Sequence, residues 1–365
     1  MRTPMRTYLA AFLACSIARA ADPAAVDGFP VGEAAPATRV ASGPPNAGAV
    51  TVGVEVFATY THRSSGEHDN TDNTRFDVGR LHLGTRYESG SVTTRVVVEG
   101  VRSSTDGALI GVAGDSFVLR AREAYAELRL PGDVALRAGM VPTLTIPEIE
   151  GTWMLRAVSA VPLEQWRFAS PADVGAQVRW SFPRRIGVLA ASVTNGEGYA
   201  SREMDTRKNG ECALTMRPLA LLELPEVALF ASASRGTVGA SSARNDRATA
   251  ALLWQGKALR AGVSYSLAWG LSGDGSLQPS LLETFAAVEP VRDILVGLRV
   301  TRADLDTANA TPAAVDGILA SAGYRVAPEL EVHVAGEVSR TNDAARVAQP
   351  GADRTELRAV VRASF

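Results

Sequence analysis

The sequence contains almost no lysine. Only Lys208 and Lys257 occur, so arginine supplies 35 of the 37 basic residues (37 less 2). Acidic residues number 39, and the formal net charge is −2. Because neither sign of charge is in marked excess, the composition predicts no nucleic-acid partner.

Cysteine and long apolar runs are also scarce. The two cysteines, Cys15 and Cys212, exclude a disulfide framework and a cysteine-built metal site. No apolar run approaches the roughly 20 residues that a membrane-spanning helix needs. If the chain crosses a membrane, it must do so with strands.

The four histidines do not predict a metal site or a catalytic site. His62 and His68 share one polar loop, where a solvated loop is the default over a metal site. A barrel hydrolase would need a Ser–His pair on its lipid-facing surface. His82 and His333 instead lie at positions that the alternation described below places on the inner face of their predicted strands. No Gly-rich phosphate loop precedes a helix. We therefore predict no enzyme activity, no metal and no cofactor.

The N-terminus has the pattern of an export signal. Arg2 and Arg6 precede the apolar stretch YLAAFLACSI, and ARA forms an A-x-A cleavage site. We predict a signal peptide over residues 1–20, cleaved after Ala20, with a lipoprotein anchored at Cys15 as the alternative. Residues 21–49, rich in Ala, Pro and Gly, are predicted to be a flexible periplasmic leader.

From residue 50 onward, hydrophobicity alternates with period two. In ALRAGVSYSLAW, residues 258–269, apolar side chains alternate with small or basic ones. Most such runs have roughly the 9–11 residues of a tilted strand that crosses a bilayer. Near Gly79 and Arg122 the alternation shifts by one residue, so that the apolar residues change face, which suggests bulges. Sixteen strands are predicted, starting near residues 50, 74, 91, 116, 132, 173, 185, 210, 225, 246, 258, 279, 291, 313, 329 and 353.

The connections between these runs alternate between short and long. Short ones include ESG and QGK, and long ones include HRSSGEHDNTDN. Short periplasmic turns and long extracellular loops are typical of outer-membrane barrels. The prediction is an all-β fold: a transmembrane antiparallel β-barrel over residues 50–365 in the bacterial outer membrane, in contact with its lipid. A soluble all-β protein would explain the alternation but not the signal peptide or the connections.

The chain ends on an alternating strand, TELRAVVRASF. In a closed barrel this strand pairs with the first, which places Phe365 at the periplasmic interface. A terminal Phe on such a strand resembles the signal read by the barrel assembly machinery, so that machinery is an expected partner. Tyr87, Trp180, Trp254 and Tyr324 lie toward the same end of their strands, as a girdle of aromatic residues would.

Residues 123–199 resemble a known family. EAYAELRLPGDVALRAGMVPTLTIPEIEG, followed by DVGAQVRWSFPRRIGVLAASVTNGEGY, is similar to the phosphate-selective porin O/P family. The resemblance implies a sixteen-stranded porin, a homotrimer, and passage of small anions. Members that prefer phosphate have many pore lysines, which this chain lacks, and this departure argues against phosphate selectivity.

The longest connection, residues 141–172, is unusually apolar. A loop of this length is usually functional, and its apolar side chains would be costly in water. We predict that it folds into the lumen as a constriction loop; a cover over the barrel mouth or a trimer contact is the alternative. Its charged residues are Glu148, Glu150, Arg156, Glu164 and Arg167.

Arginines dominate the inward parity of the strands. An arginine facing lipid near the bilayer midplane would cost about 2–4 kcal/mol, so inward placement is strongly favoured. The predicted pore-lining residues are Arg80, Arg86, Arg95, Arg120, Arg137, Arg179, Arg260, Arg299, Arg325 and Arg358.

These observations predict a porin for passive diffusion of small hydrophilic solutes, anionic or neutral, with a weak to moderate anion preference. The alternative is a narrow or plugged barrel with a structural, adhesion or assembly role in its outer loops. The open channel is favoured by small or charged inward residues, namely Gly262, Ser264, Ser266, Ser321, Gly323 and Arg325.

Overall fold

The computed structural model describes residues 38–40, 48–65, 73–102, 117–309 and 311–365. The predicted signal peptide and most of the predicted leader lie outside these residues. A short strand, β1 (Thr38–Val40), falls within the leader and pairs with residues 50–52. Among the described residues, no helix has the length and apolar character needed to cross a membrane.

Sixteen strands of the described residues form one closed antiparallel barrel. Each strand pairs with its neighbour in sequence, and the last pairs with the first, with Ala359 opposite Tyr60. Closure leaves no unpaired strand edge, which satisfies the backbone hydrogen bonds. The barrel strands are β2 (Ala49–Ser65), β3 (Asn73–Ser89), β4 (Val92–Arg102), β5 (Phe117–Leu130), β6 (Val134–Pro142), β7 (Ala172–Ser181), β8 (Gly187–Thr194), β9 (Asn209–Met216), β10 (Val227–Arg235), β13 (Asp246–Gln255), β14 (Leu259–Trp269), β15 (Ser280–Val291), β16 (Ile294–Asp304), β17 (Ala314–Ala327), β18 (Leu330–Thr341) and β19 (Arg354–Ser364).

The remaining elements are short and lie in the connections. Strands β11 (Thr237–Val238) and β12 (Ala243–Arg244) form a small hairpin between β10 and β13. Helices α1 (Ile146–Trp153) and α2 (Pro162–Gln165) interrupt the connection between β6 and β7, and α3 (Asp343–Ala348) precedes β19.

The predicted strands and bulges are confirmed. All sixteen predicted starts lie within a few residues of the observed ones; for example, the start predicted near residue 225 is Val227. In the β2–β3 pair, Phe57 faces Arg80 and Ala58 faces Val78, so Gly79 is the extra residue. In the β4–β5 pair, Val97 faces Glu123 and Val98 faces Ala121, so Arg122 is the extra residue. Each bulge re-aims the side chains beside it.

The connections alternate between the two ends of the barrel. The end with the turns at residues 90–91, 131–133 and 256–258 is called the short-turn end, and the opposite end is the long-loop end. Residues 217–226 are the longest connection at the short-turn end and contain a 3-10 turn. The chain terminus lies at the short-turn end, where the Phe365 amide donates to the Val54 carbonyl at 2.9 Å.

The outer surface of the barrel is apolar. On β14, Val263 and Tyr265 are exposed, whereas Ser264 and Ser266, which alternate with them, are buried. This is the inverse of a soluble protein and matches strands that face lipid. The predicted aromatic residues near the short-turn end, including Trp180 and Tyr324, point outward.

The hydrophobic core lies inside the barrel. Buried residues of the segment 143–171, which connects β6 and β7, form one cluster with inner-wall residues such as Phe230 and Phe285. Helix α1 has a proline in its first turn and ends at Met154 in the left-handed conformation (φ 57°), where the Met154 amide donates to the Glu150 carbonyl. The chain thereby reverses inside the lumen.

This packing explains part of the pattern of small inward residues. The small inward residues were expected to leave an open lumen, but Ser264 and Ser266 are buried. A Cβ on Gly262 would meet the ring of Phe285, and a Cβ on Gly297 would meet Leu155 of the inserted segment. Gly262 and Gly297 are small where bulky neighbours pack against them, so on this side of the barrel a small residue makes room for packing.

Candidate functional site inside the barrel

The segment 143–171, here called the inserted loop, is fixed to the wall where it leaves β6. The Glu211 carboxylate on β9 accepts from the Leu144 amide at 3.0 Å and from the Thr145 hydroxyl at 2.8 Å. Thr143 donates to the Ser170 carbonyl at 2.6 Å, which ties the two ends of the loop together. The loop therefore enters the lumen from a fixed base.

The apolar side of the inserted loop packs on the wall formed by β13–β16. Trp153 is fully buried and meets Phe285 of β15 edge to face, with ring centroids 5.7 Å apart. Burying a tryptophan in this way is a large apolar contribution. That the loop acts as a constriction of the lumen stays a prediction.

Four wall arginines donate to backbone carbonyls of the inserted loop. Arg299 donates to Ala160 at 2.7 Å and lies over the Trp153 ring. Arg260 donates to Gly151 at 2.9 Å, Arg358 to Val158 at 3.1 Å, and Arg247 to Phe168 at 2.7 Å. Hydrogen bonds from charged groups are stronger than neutral ones.

Three of the residues predicted to line the pore make these contacts. Arg260, Arg299 and Arg358 do face inward, but they hold the loop, and Arg299 is only 2% exposed. Their positive charge is partly matched by carboxylates beneath the loop, such as Glu337, which lies 2.6 Å from Arg358.

On the other side of the lumen, the loop meets a cluster of four arginines. Three belong to the wall, Arg80 on β3 and Arg120 and Arg122 on β5, and the fourth is Arg156 of the loop; together they are called the arginine cluster. Arg156 bridges the two loop carboxylates, lying 2.5 Å from Glu150 and 2.9 Å from Glu164.

Contacts between the arginine cluster and the loop acids cross from wall to loop. Arg80 lies 3.3 Å from Glu164, and Arg122 lies 3.9 Å from Glu150. The inserted loop thus touches both sides of the barrel, with Arg299 holding it on one side and Arg80 on the other.

Glu99, on β4, is the centre of the wall charges and is fully buried. Its Oε1 atom accepts from Arg120 at 2.7 Å and from the Tyr199 hydroxyl at 2.6 Å. Arg80 and Arg122 each lie 3.7 Å from its Oε2 atom. A buried, charged carboxylate of this kind is tolerated because several cations surround it.

Burial and neighbouring charges shift the pKa values of Glu164, Arg156 and Tyr199. Burial alone would raise the pKa of Glu164, but the ion pairs with Arg156 and Arg80 outweigh it and lower the pKa to about 2. Burial opposes the charge of Arg156 as well, yet Glu150 and Glu164 raise its pKa above the ordinary value. Burial and the adjacent Glu99 raise the pKa of Tyr199. The loop ion pairs stay charged at neutral pH.

Four of the other predicted arginines face inward and are paired with wall acids. Arg95 lies 2.8 Å from Glu123, and Arg137 lies 2.6 Å from Glu127. The remaining pairs are Arg86 with Glu88 at 2.5 Å and Arg325 with Glu331 at 3.3 Å, while Arg179 is half-buried on β7 and Arg167 of the loop is exposed. Glu148 of the loop lies 3.8 Å from Arg217.

Three residues of the site were missed from the sequence. Arg122 sits in the bulge of β5, where parity gives no facing, although the parity change itself was a signal. Tyr199 reaches the cluster from the connection after β8, and Glu211 lies on β9 beneath the loop entrance. Nothing in the local pattern marks these last two, because their partners are distant in sequence.

No group of three or more His, Cys, Asp and Glu side chains that could hold a metal occurs in the part of the chain that the structure describes. His82 lies in the wall, 3.2 Å from Glu55. His68, in the loop considered for a metal, lies outside the described residues.

The fold and the loop that enters it define the architecture of sixteen-stranded outer-membrane barrels. A comparison with protein-family models finds no match, and no curated protein sequence matches. Membership of the phosphate-selective porin O/P family therefore stays a prediction.

Solved structures share the fold at low sequence identity. OmpF of Salmonella typhi, in complex with daunomycin, has a TM-score of 0.66 at 10% identity, covering 90% of this chain and 100% of that one. The anion-selective porin of Comamonas acidovorans has a TM-score of 0.59 at 12% identity, covering 87% and 100%. The outer membrane channel DcaP of Acinetobacter baumannii has a TM-score of 0.57 at 13% identity, covering 89% and 99%.

Proposed function

We propose that this protein is a porin of the bacterial outer membrane, through which small hydrophilic solutes diffuse passively. The observation that carries the proposal is the closed sixteen-stranded barrel with an apolar outside and a charged inside that a loop narrows. An aqueous path lined by charges is the ordinary use of such a barrel. The porins that share the fold support the proposal.

The path for solutes runs between the inserted loop and the wall formed by β3–β7. On the opposite side, the loop packs against the wall and leaves residues such as Trp153 and Leu281 buried. On the path side, Arg120 keeps 36% and Arg95 keeps 24% of its side chain exposed. Water and small solutes can reach these groups.

The charges at the narrow section favour anions weakly. The arginine cluster has four cations, against the carboxylates of Glu99, Glu150 and Glu164. The excess is small because direct ion pairs join the loop acids to the arginines. In a narrow passage, screening by salt is less complete than in bulk water, so a small excess still biases entry. The anion-selective porin that shares the fold is consistent with this preference.

Placement in the membrane follows from the same proposal. The short-turn end faces the periplasm and the long-loop end faces the cell exterior, as is typical of outer-membrane barrels. The predicted signal peptide, cleaved after Ala20, supports export to this membrane. Phe365 then lies at the periplasmic interface, where the barrel assembly machinery would meet it. A homotrimer is part of the proposal, because the solved structures that share the fold include a trimeric form.

Conductance of the purified protein in planar lipid bilayers tests the function. We expect stable steps of current whose size rises with salt concentration. A folded protein that inserts and conducts no ions would contradict the proposal.

A second function is favoured by one specific observation, the apolar core within the lumen. A barrel filled on one side by Trp153, Leu155 and Phe168 could serve a structural role through its outer loops. The same bilayer recordings separate the two functions, because a plugged barrel gives no steps of current.

A further inference from the structure

We infer that the protein binds a small neutral polyol in a cavity at the long-loop end of the barrel, beside the base of the inserted loop. The inference rests on the proposed channel function, since it names a class of solute that the protein holds before the narrow section. The cavity is separate from the arginine cluster, whose wall members lie on β3 and β5.

The cavity has a volume of about 90 Å³ and lies between the two ends of the inserted loop and the neighbouring wall. The wall side comes from the long-loop ends of β7, β9, β10 and β13, together with the connection after β8. Leu163 and Phe168 of the loop, both buried, give it an apolar side. A concave site with an apolar side and a few convergent polar groups is the usual form of a small-molecule site.

Two carboxylates supply fixed acceptors on the cavity wall. Glu211 of β9 accepts from the Leu144 amide at 3.0 Å and from the Thr145 hydroxyl at 2.8 Å. Asp173 of β7 accepts from the Gly196 amide at 2.6 Å. A carboxylate can accept about four hydrogen bonds, so Glu211 retains capacity for a hydroxyl of a ligand.

Donors on the same wall lack acceptors. The Oδ1 atom of Asn209 accepts from the Thr237 amide at 2.7 Å, and that of Asn245 accepts from Arg247 at 2.5 Å. Within the described residues, their side-chain N–H groups and the Ser234 hydroxyl have no hydrogen-bond partner. All three side chains line the cavity and are half-buried, so a solute can reach these donors.

This set of groups selects a polyol over a small ion. A hydroxyl both donates and accepts, so neighbouring hydroxyls can satisfy the asparagine donors and Glu211 together. An anion would be repelled by the carboxylates, and Arg247, a cation that lines the cavity, already donates to three backbone carbonyls and to Asn245. A cation would leave the asparagine donors unsatisfied. The C–H groups of a polyol can pack on the Phe168 ring.

A ligand-observed NMR titration of the folded protein in detergent tests the inference, with erythritol as the polyol probe and 1,4-butanediol as the comparison. The two molecules have the same carbon chain, but butanediol lacks the two inner hydroxyls. Because two hydrogen bonds are lost, we expect butanediol to bind with a Kd about tenfold higher than that of erythritol.

Substitutions at Ser234 locate the site. Ser234→Ala removes one hydroxyl and should raise the erythritol Kd about fivefold. Ser234→Leu fills the cavity without changing any charge and should abolish saturable binding of erythritol.

Ser339→Leu is the matched control. Ser339 is also a buried serine near the long-loop end of its strand, but it lies on β18, outside the cavity. Its substitution should change the erythritol Kd by less than about twofold. Every variant is first checked for the heat-modifiable migration of a folded barrel. If Ser234→Leu does not fold, Ser234→Ala and the comparison with butanediol still decide the test.

The outcomes separate this inference from the proposed function. Equal binding of the two probes, no saturable binding of erythritol, or an unchanged Kd in Ser234→Ala would each overturn the polyol site and leave the porin intact. Bilayer recordings of the same preparation test passage separately. The absence of any current would overturn the porin function, whether or not erythritol binds.

Discussion

Nη2 of Arg80, on the third strand of the chain, lies 3.3 Å from Oε1 of Glu164 in helix α2 of the inserted loop. This contact joins the loop to the wall opposite its apolar anchor, where Arg299 donates to the Ala160 carbonyl. The loop is therefore held on two sides of the barrel. Its position depends on ion pairs on one side and on apolar packing on the other.

The ion pairs of Glu164 predict a specific dependence on pH. Because the folded-state pKa is about 2, below the ordinary 4.5, the carboxylate stabilises the loop fully above pH 4.5. That stabilisation is lost as the pH falls from 4.5 toward 2. Glu164→Gln should destabilise the barrel by roughly 3 kcal/mol at neutral pH, because it removes the carboxylate that pairs with both Arg156 and Arg80.

The measurement is the temperature at which the band of the folded barrel disappears in detergent gel electrophoresis. It is made for the unaltered protein and for Glu164→Gln after incubation between pH 8 and pH 2. The gap between the two temperatures should stay constant down to about pH 5 and close below it. A gap that closes between pH 8 and pH 6 would show that other groups control the loop.

The packing of the loop on Gly297 predicts an effect on conductance. A Cβ at Gly297 would meet Leu155, whereas a Cβ at Gly336 would meet nothing within 4 Å. Gly297→Val should push Leu155 and Trp153 away from the wall and change the single-channel conductance, while Gly336→Val, also in a strand, should not. Overpacking of this kind costs about 1–3 kcal/mol. Equal conductance in both variants would mean that the loop does not define the narrow section.

The C-terminal residue predicts an effect on assembly. Phe365 is exposed, and its backbone makes two hydrogen bonds with Val54, of 2.9 and 3.0 Å, at the seam of the barrel. Deleting Phe365 should lower the amount of assembled barrel in cells more than it lowers refolding in detergent. Substitution by Ala, which keeps the backbone bonds, separates recognition of the ring from closure of the seam. Normal assembly of both variants would contradict the proposal that Phe365 is an assembly signal.

The alternation of hydrophobicity with period two was enough to predict the barrel strands, because one face of each strand must be apolar and the other polar. It failed where both faces carry apolar or small residues. The run that became β10 has apolar or small residues on both faces, so its alternation gives no orientation. In the structure Phe230 points inward and packs on the inserted loop. An inward phenylalanine has a physical reason only once the loop is known to lie there.

The site could be predicted in part for the same reason. Parity placed Arg80 and Arg120 inward, and the apolar composition of residues 141–172 suggested the lumen. Neither pattern could pair Arg80 with Glu164 or bring Tyr199 to Glu99, because these contacts join parts of the chain far apart in sequence. The small residue Gly262 was ambiguous, since room for water and room for the Phe285 ring require the same side chain.

The central claim is that the open side of the loop forms a channel that favours anions. The most direct measurement is the reversal potential of the purified protein in a bilayer that separates two concentrations of potassium chloride. We predict a chloride-to-potassium permeability ratio of about two to five, from the small excess of arginine at the narrow section. Arg80→Gln should lower the ratio, whereas Arg302→Gln, on the exposed outer surface, should leave it unchanged. A reversal potential of the cation-selective sign in the unaltered protein would contradict the account.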